Sequence, residues 1–346
     1  MMINKGMIVV TALEMQNCFT DILRKVGFSE ERALQCAMIF INNSIDGIYT
    51  HGVNRFPRFV QYVKEGFVKA NAIPSLQNKF GGIEQWNGNL GPGPLNAVHA
   101  TETATSLAQQ YGIGCVALSN TNHWMRGGTY GWQAAKAGYV FISWTNTIGN
   151  MPAWGASDAR LGNNPLVIAL PYKDEAIVLD MAMSQYSFGS MELSAMKNEM
   201  LPVYGGFDKA GVLTNDPSEI LASYRPLPVG YWKGAGLSLL LGLLATILSG
   251  GLAIHEISKQ EAEYGLSQVF IAIDISKLGN HSVIAGIIEN IISDYHQSVP
   301  SDESKKILYP GERVLLTRKN NLANGIPVVQ KVWDEIIQLQ GPSRSY

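Results

Sequence analysis

One stretch constrains this chain more than any other. Residues 234–254 contain no charge, and 237–248 are almost wholly aliphatic. Such a run must leave water, either by crossing a bilayer or by packing inside a protein. A span needs ~20 continuous apolar residues, and the dense part here is shorter. It is bounded by Gly234-Ala235-Gly236 and Ser249-Gly250-Gly251. Small residues let a helix approach a neighbour closely. The expectation is a core helix buried against a sheet or a second subunit, with no membrane partner.

Charge is scarce along the whole chain. Of 346 residues, 16% are charged and 46% are hydrophobic, and the net charge is -2. A typical soluble protein is about 25% charged. Disorder needs low hydrophobicity and high net charge, so it is excluded. A nucleic-acid partner needs a basic excess, which is absent. The three cysteines, Cys18, Cys36 and Cys115, have no C-x-x-C spacing. That argues against disulfides and zinc and for a reducing cytoplasm. The start, Met1 to Met7, is too short and too weakly apolar for a signal peptide. The six histidines are dispersed, with none at metal-ligand spacing, so no metal is expected.

Periodicity divides the chain coarsely. The first 70 residues read as helices, broken by a corner at 48–53 that holds Tyr49-Thr50-His51-Gly52. Helices are also expected at 101–111, 131–137, 282–297, from Arg313 onward, and at 328–338. Strands are expected at 114–119, 139–145 and 268–274, with a hairpin pairing 166–171 and 176–181. Residues 205–217 are rich in Gly, Asp and Asn and read as a loop. The result is a mixed α/β chain without internal repeats. It divides into a helical part (1–80), a central sheet region (81–265), a C-terminal α/β part packing back on the N-terminal region (266–340) and a tail (341–346).

A Gly-rich fingerprint, Gly112-x-Gly114-x-x-Ala117, sits in the wrong context. A dinucleotide loop follows a strand and opens a helix; this one follows a helix and opens a strand. It reads as a helix C-terminal turn. Walker and nucleophile-elbow motifs are absent. His51 and Arg55 lie close together at a helix start, which suits an acid/base group beside a carboxylate clamp. A capping or structural His fits the same spacing. Between 81 and 157 the only charges are Glu84, Glu102, Arg126 and Lys136; between 226 and 254 the only one is Lys233. A lone cation among glycines suits the rim of a cleft for an anionic ligand, or a plain surface position. Asp180 ends an apolar strand, where an acid can orient a His, bind a ribose hydroxyl or cap a helix.

Taken together, these segments are more specific than any one alone. Tyr49-Thr50-His51-Gly52-Val53-Asn54-Arg55-Phe56-Pro57-Arg58 resembles the signature of the malate/L-lactate dehydrogenase type 2 family. Asn122-His123, Gly162-Asn163-Asn164-Pro165-Leu166, Asp180-Met181-Ala182, Lys233-Gly234-Ala235-Gly236 and Pro310-Gly311-Glu312 follow in the family's order, and the likeness spans about 11–339. The resemblance implies a mixed sheet with flanking helices, a non-Rossmann NAD(P)-binding fold. It also implies hydride transfer between NADH, or alternatively NADPH, and a small 2-keto acid, by a homodimer. His51 matches the family's proton donor. Ala176, Ile177, Val178, Leu179, Asp180, Met181 and Ala182 match a cofactor segment, as do Trp232 with Lys233 and Gly311 with Glu312 and Arg313. Arg55 is the expected carboxylate clamp. His123 and Arg126 are expected at a polyol or second carbonyl, and Asp180 on His51 or the nicotinamide ribose. Another 2-hydroxyacid dehydrogenase, or a non-catalytic binding protein on the same fold, is the alternative. This chain departs from the pattern at Trp232 (His in many relatives), Asn163 (usually Thr) and Gly242 (often an acid).

Overall fold

Short-range patterning decides most elements of the computed structural model, which describes residues 6–341. Of the expected tail, only Gly341 falls within the described residues, and the first five residues also lie outside them. The chain begins with β1 (Met7–Val10), α1 (Ala12–Lys25) and α2 (Glu30–Ile45), followed by two 3-10 turns, then α3 (Phe56–Lys64), β2 (Ser75–Phe80), β3 (Ile83–Asn87) and α4 (Gly93–Tyr111). β4 (Ile113–Thr121), α5 (Gly128–Lys136), β5 (Tyr139–Thr145), β6 (Met151–Pro152), β7 (Ala159–Leu161), β8 (Leu166–Tyr172) and β9 (Glu175–Met181) follow. Next come α6 (Phe188–Met196), β10 (Gly206–Phe207), β11 (Leu213–Thr214), α7 (Pro217–Ser223), α8 (Trp232–Ser249) and α9 (Ile254–Ile257). The chain ends with β12 (Leu266–Asp274), α10 (His281–His296), α11 (Glu312–Asn324), β13 (Ile326–Val329) and α12 (Gln330–Gln340).

The frame is a seven-stranded sheet in the order β2-β3-β4-β12-β5-β8-β9. Its pairs are antiparallel except β3 with β4. The register places Ile271 opposite both Cys115 and Ile142. Strand pleating then sends Phe141 and Phe270 to one face, where α4 brings Ala104, α5 brings Tyr130 and the segment between β4 and α5 brings Trp124. Trp144 and Val269 go to the other face, under Leu241 and Ala245 of α8. Strands from all three expected segments share this sheet. A separate core forms where α1, α2, α3 and α12 meet the β1–β13 pair, with Phe19 and Phe56 stacked at 3.8 Å. A small cluster of Met191, Leu201 and Ile220 holds α6 and α7 together.

The Gly-rich fingerprint is a helix end, as its context indicated: Gly112 caps α4 with φ +87°. Four expectations change. The N-terminal part is not wholly helical, because β1 pairs with β13. For the same reason the last helix begins at Gln330, with β13 in place of its expected first turn. The helix expected at 101–111 starts at Gly93, because Pro94 is tolerated in a first turn. Two short strands, β10 and β11, pair within the expected loop at 205–217. The apolar helix α8 is not buried all round either. Its small residues Gly234, Ala235, Ser238, Gly242 and Ala245 face inward, while Leu239, Leu240, Leu243, Leu244 and Ile247 are exposed. Among the described residues it is the one helix long and apolar enough to cross a membrane by length and composition.

Candidate active site

The corner at His51 is shaped from outside. Its two 3-10 turns, Tyr49–His51 and Val53–Arg55, meet at Gly52, which lies flat against α2. A Cβ there would sit 2.3 Å from Ser44 Oγ and 3.0 Å from Phe40 O, so only glycine fits. Ser44 Oγ accepts the Val53 N–H at 2.9 Å, and Asn43 Nδ2 donates to the His51 carbonyl at 2.9 Å. The end of α2 thus holds the corner on both sides of Gly52. His51 and Arg55 then line one cavity of about 640 Å³ together with His123, Asn150, Asn163 and Glu263. A larger cavity of about 880 Å³ lies beside α10 and contains none of these residues.

Burial sets the electrostatics. Desolvation pushes the His51 imidazole down to about 4, and the Arg55 and Arg126 cations push the same way. His51 Nδ1 lies 3.1 Å from Thr50 Oγ1. Its ring stacks on His123 at 5.8 Å. Burial, then Arg55, His51 and Arg58, hold His123 well below its usual range. His123 Nδ1 accepts the Met125 N–H at 3.0 Å, so the neutral ring carries its hydrogen on Nε2. Glu263 faces Arg55 at 4.0 Å and is fixed by the Ile148 N–H at 3.0 Å.

Arg126 is placed differently from its expected role. It is 5% exposed and donates to Asp46, which is 7% exposed. Asp46 also takes Arg318 Nε at 2.6 Å and its second nitrogen at 3.1 Å. Arg126 therefore does not line the His51 cavity as a substrate cation; the buried carboxylate of Asp46 already engages it. Nor does Asp180 reach His51. Its Oδ2 accepts the Gly128 N–H at the start of α5 at 2.8 Å and faces Arg126 at 3.9 Å. Desolvation raises its pKa, against the pull of Arg126 and that N–H. Sequence reasoning missed Asp46, Glu263 and Arg318. Asp46 did carry a signal: an acid ending a helix sits against the dipole unless a cation pairs with it.

The expected cofactor residues form a line. Ala176, Ile177, Val178, Leu179, Asp180 and Met181 lie in β9, the sheet's edge strand, with Ala182 just beyond it. Gly311, with φ +96°, lies over the middle of β9, where Val178 N donates to Pro310 O at 3.0 Å; a Cβ on Gly311 would stand 3.2 Å from Val178 N. Glu312 opens α11, and its Oε2 accepts from Tyr309 N and faces His296 Nε2, each at 3.0 Å. Arg313 is exposed. Just past the end of β9, Val229 N donates to the Met183 carbonyl at 2.8 Å and brings up the start of α8. There Trp232 is 65% exposed and Lys233 is exposed beside it, neither in the His51 cavity. From Val178 to Met183 this edge runs about 17 Å. Its outward edge, glycine cradle and helix N-terminus suit an extended ligand. Among the described residues no His, Cys, Asp and Glu group could hold a metal ion.

Comparison with known proteins agrees over nearly the whole length. Residues 10–337 match the malate/L-lactate dehydrogenase family. A 2,3-diketo-L-gulonate reductase from Citrobacter koseri is 42% identical over 328 residues, covering 94% of this chain and 98% of that protein. The Salmonella typhi protein of the same name gives the same identity and coverage. Malate dehydrogenase from Pyrococcus horikoshii OT3 superposes with a TM-score of 0.89 at 27% identity, over 99% of this chain and 98% of that one. The δ1-piperideine-2-carboxylate reductase of Pseudomonas syringae pvar. tomato gives 0.85 at 26% identity, over 96% and 99%.

Proposed function

Because this chain belongs to the malate/L-lactate dehydrogenase family, we propose that it reduces 2,3-diketo-L-gulonate to 3-dehydro-L-gulonate with NADH, His51 serving as proton donor. It is an oxidoreductase of a pyridine-nucleotide family; the particular substrate and the choice of NADH over NADPH are our reading. The observation that carries it is the imidazole of His51 beside the guanidinium of Arg55 in one polar cavity. The relatives named 2,3-diketo-L-gulonate reductase support the substrate.

Arg55 would bind the substrate carboxylate and turn the 2-keto oxygen toward His51. The β9 edge, Gly311, Glu312, Arg313, Trp232 and Lys233 would hold the cofactor, whose reduced nicotinamide supplies the hydride. Charge then develops on the keto oxygen. His51 would deliver a proton to it, and His123 Nε2–H could donate a hydrogen bond to a neighbouring oxygen. His51 is neutral in the free cavity, so it must take its proton as substrate binds. The anion on Arg55 offsets the cation that depresses His51 and favours that uptake. Asp180 and Arg126 position α5 and the His51 corner rather than touch substrate.

The exposed leucine face of α8 supports a homodimer, and three free cysteines support a cytoplasmic protein. Sedimentation at the mass of one chain would sink the dimer. The activity is tested by following NADH and NADPH oxidation with a panel of 2-keto acids. We expect the fastest turnover with 2,3-diketo-L-gulonate and NADH. His51→Ala should lower kcat by ~10²- to 10⁴-fold; near-normal turnover would overturn the acid assignment. A wild-type protein that oxidises neither cofactor would favour the non-catalytic binding protein.

A further inference from the structure

We propose that Glu192 and Glu263 set the substrate preference of the His51 cavity, favouring 2-keto acids with a hydroxylated tail over 2-keto dicarboxylates. This rests on the reading of the cavity as a 2-keto acid site. Its lining carries the cations Arg55 and Arg58 and the carboxylates Glu192, Glu261 and Glu263. Of the two cations only Arg55 faces a carboxylate among the described residues. Arg55 faces Glu263 at 4.0 Å and is the group that would take the substrate carboxylate. Arg58 donates to Tyr62 Oη at 3.0 Å.

The remaining wall is rich in acceptors. Glu263 spends Oε1 on the Ile148 N–H, leaving Oε2 with only the long approach to Arg55. Its loop is anchored by Tyr264, which stacks on Phe67 at 5.0 Å. Glu192 projects from α6, and among the described residues it makes no ion pair. Asn150, 8% exposed in the same wall, has a carboxamide oxygen with no hydrogen-bond partner. Asn150 Nδ2 is spent on Asn163 Oδ1 at 3.2 Å, so the oxygen is the end left free.

Ionised carboxylates and a carboxamide oxygen can only accept. A hydroxyl brings the hydrogen they lack. A second substrate carboxylate brings none, and it adds a like charge to a wall already holding more anions than cations. Discrimination therefore comes from repulsion as well as attraction.

The test compares wild type, Glu192→Gln, Glu263→Gln and the double variant of the full chain. The kcat/KM of NADH oxidation is measured with 2,3-diketo-L-gulonate, pyruvate and oxaloacetate. The expected result is a rise of ~tenfold or more in the oxaloacetate-to-pyruvate ratio in the double variant, with a fall in the diketogulonate-to-pyruvate ratio. Ratios that stay at the wild-type values overturn the proposal. Glu192 is exposed on its helix, so Glu192→Gln alone keeps the test valid if Glu263→Gln folds poorly. Calorimetric binding of gluconate and malate, which need no turnover, separates two failures. If wild type reduces no 2-keto acid yet prefers gluconate, and the double variant loses that preference, the catalytic reading falls and the specificity assignment stands. If gluconate and malate bind alike in every protein, the specificity assignment falls.

Discussion

Asp46→Asn tests how the end of α2 is held to α11 and to the segment that precedes α5. Asp46 ends α2, where the helix dipole disfavours a carboxylate. It is tolerated because Arg126 and Arg318 both donate to it. Asparagine keeps the shape and removes the charge. Arg318 would retain Glu175 at 3.3 Å and the Trp132 ring at 4.8 Å. Arg126, almost wholly buried, would keep only Asp180 at 3.9 Å. Removing one partner of a buried ion pair costs about 3–5 kcal/mol. The partial exposure of Arg318 and its second carboxylate put the expected loss near ~3 kcal/mol. For domains of a few hundred residues each kcal/mol shifts Tm by about 2–4 °C, so a fall of roughly 6–12 °C follows. Differential scanning calorimetry at neutral pH, with a rescan for reversibility, measures it. Asp46→Asn/Arg126→Met removes both charges and should recover much of the loss. A single variant within ~2 °C of wild type, or a double variant less stable than the single, would refute the reasoning.

Three further outcomes follow from the His51 cavity and the β9 edge. With His51 depressed to about 4 in the free cavity, the neutral imidazole predominates there at pH 7. Reduction needs a proton on His51, so kcat/KM for keto-acid reduction should fall as pH rises above the His51 pKa, and oxidation of the hydroxy acid should gain. Arg55→Gln removes a cation that lowers the pKa and should move the falling limb to higher pH; a limb that stays put would show that Arg55 does not act on His51. Gly311→Val places a side chain on the Val178 backbone at a φ of +96°. It should weaken NADH binding, read by fluorescence titration, by ~tenfold or more; unchanged affinity would remove Gly311 from the cofactor site.

The legible parts of this chain are those written locally. The β8–β9 hairpin, the strand ahead of α5 and the helix-ending role of Gly112 each depend on neighbours within a few residues. The His51 corner was legible for the same reason, since His51 and Arg55 lie four residues apart in two adjoining 3-10 turns. Arg126 was misread because its partners are distant: Asp46 lies 80 residues earlier in sequence, and Arg318 reaches Asp46 across 272. In sequence an isolated cation looks free for a ligand; in the fold it is already neutralised. The β1–β13 pair escaped for a related reason. Each strand has four residues, too few to show a period, and only their meeting across the whole chain makes them strands.

Gly52 carries a consequence for engineering. The corner does not set its own conformation, because the floor it rests on is the last turns of α2. Moving the His51–Arg55 loop into another scaffold would therefore not carry the site with it. The smallest transplantable unit runs from Phe40, whose carbonyl a Cβ on Gly52 would strike, through Ser44 and Asp46 to the start of α3. Within that unit His51 and Arg55 are side chains on a borrowed surface. Directed evolution aimed at repositioning His51 should accordingly vary positions 40–46 before it varies the loop itself.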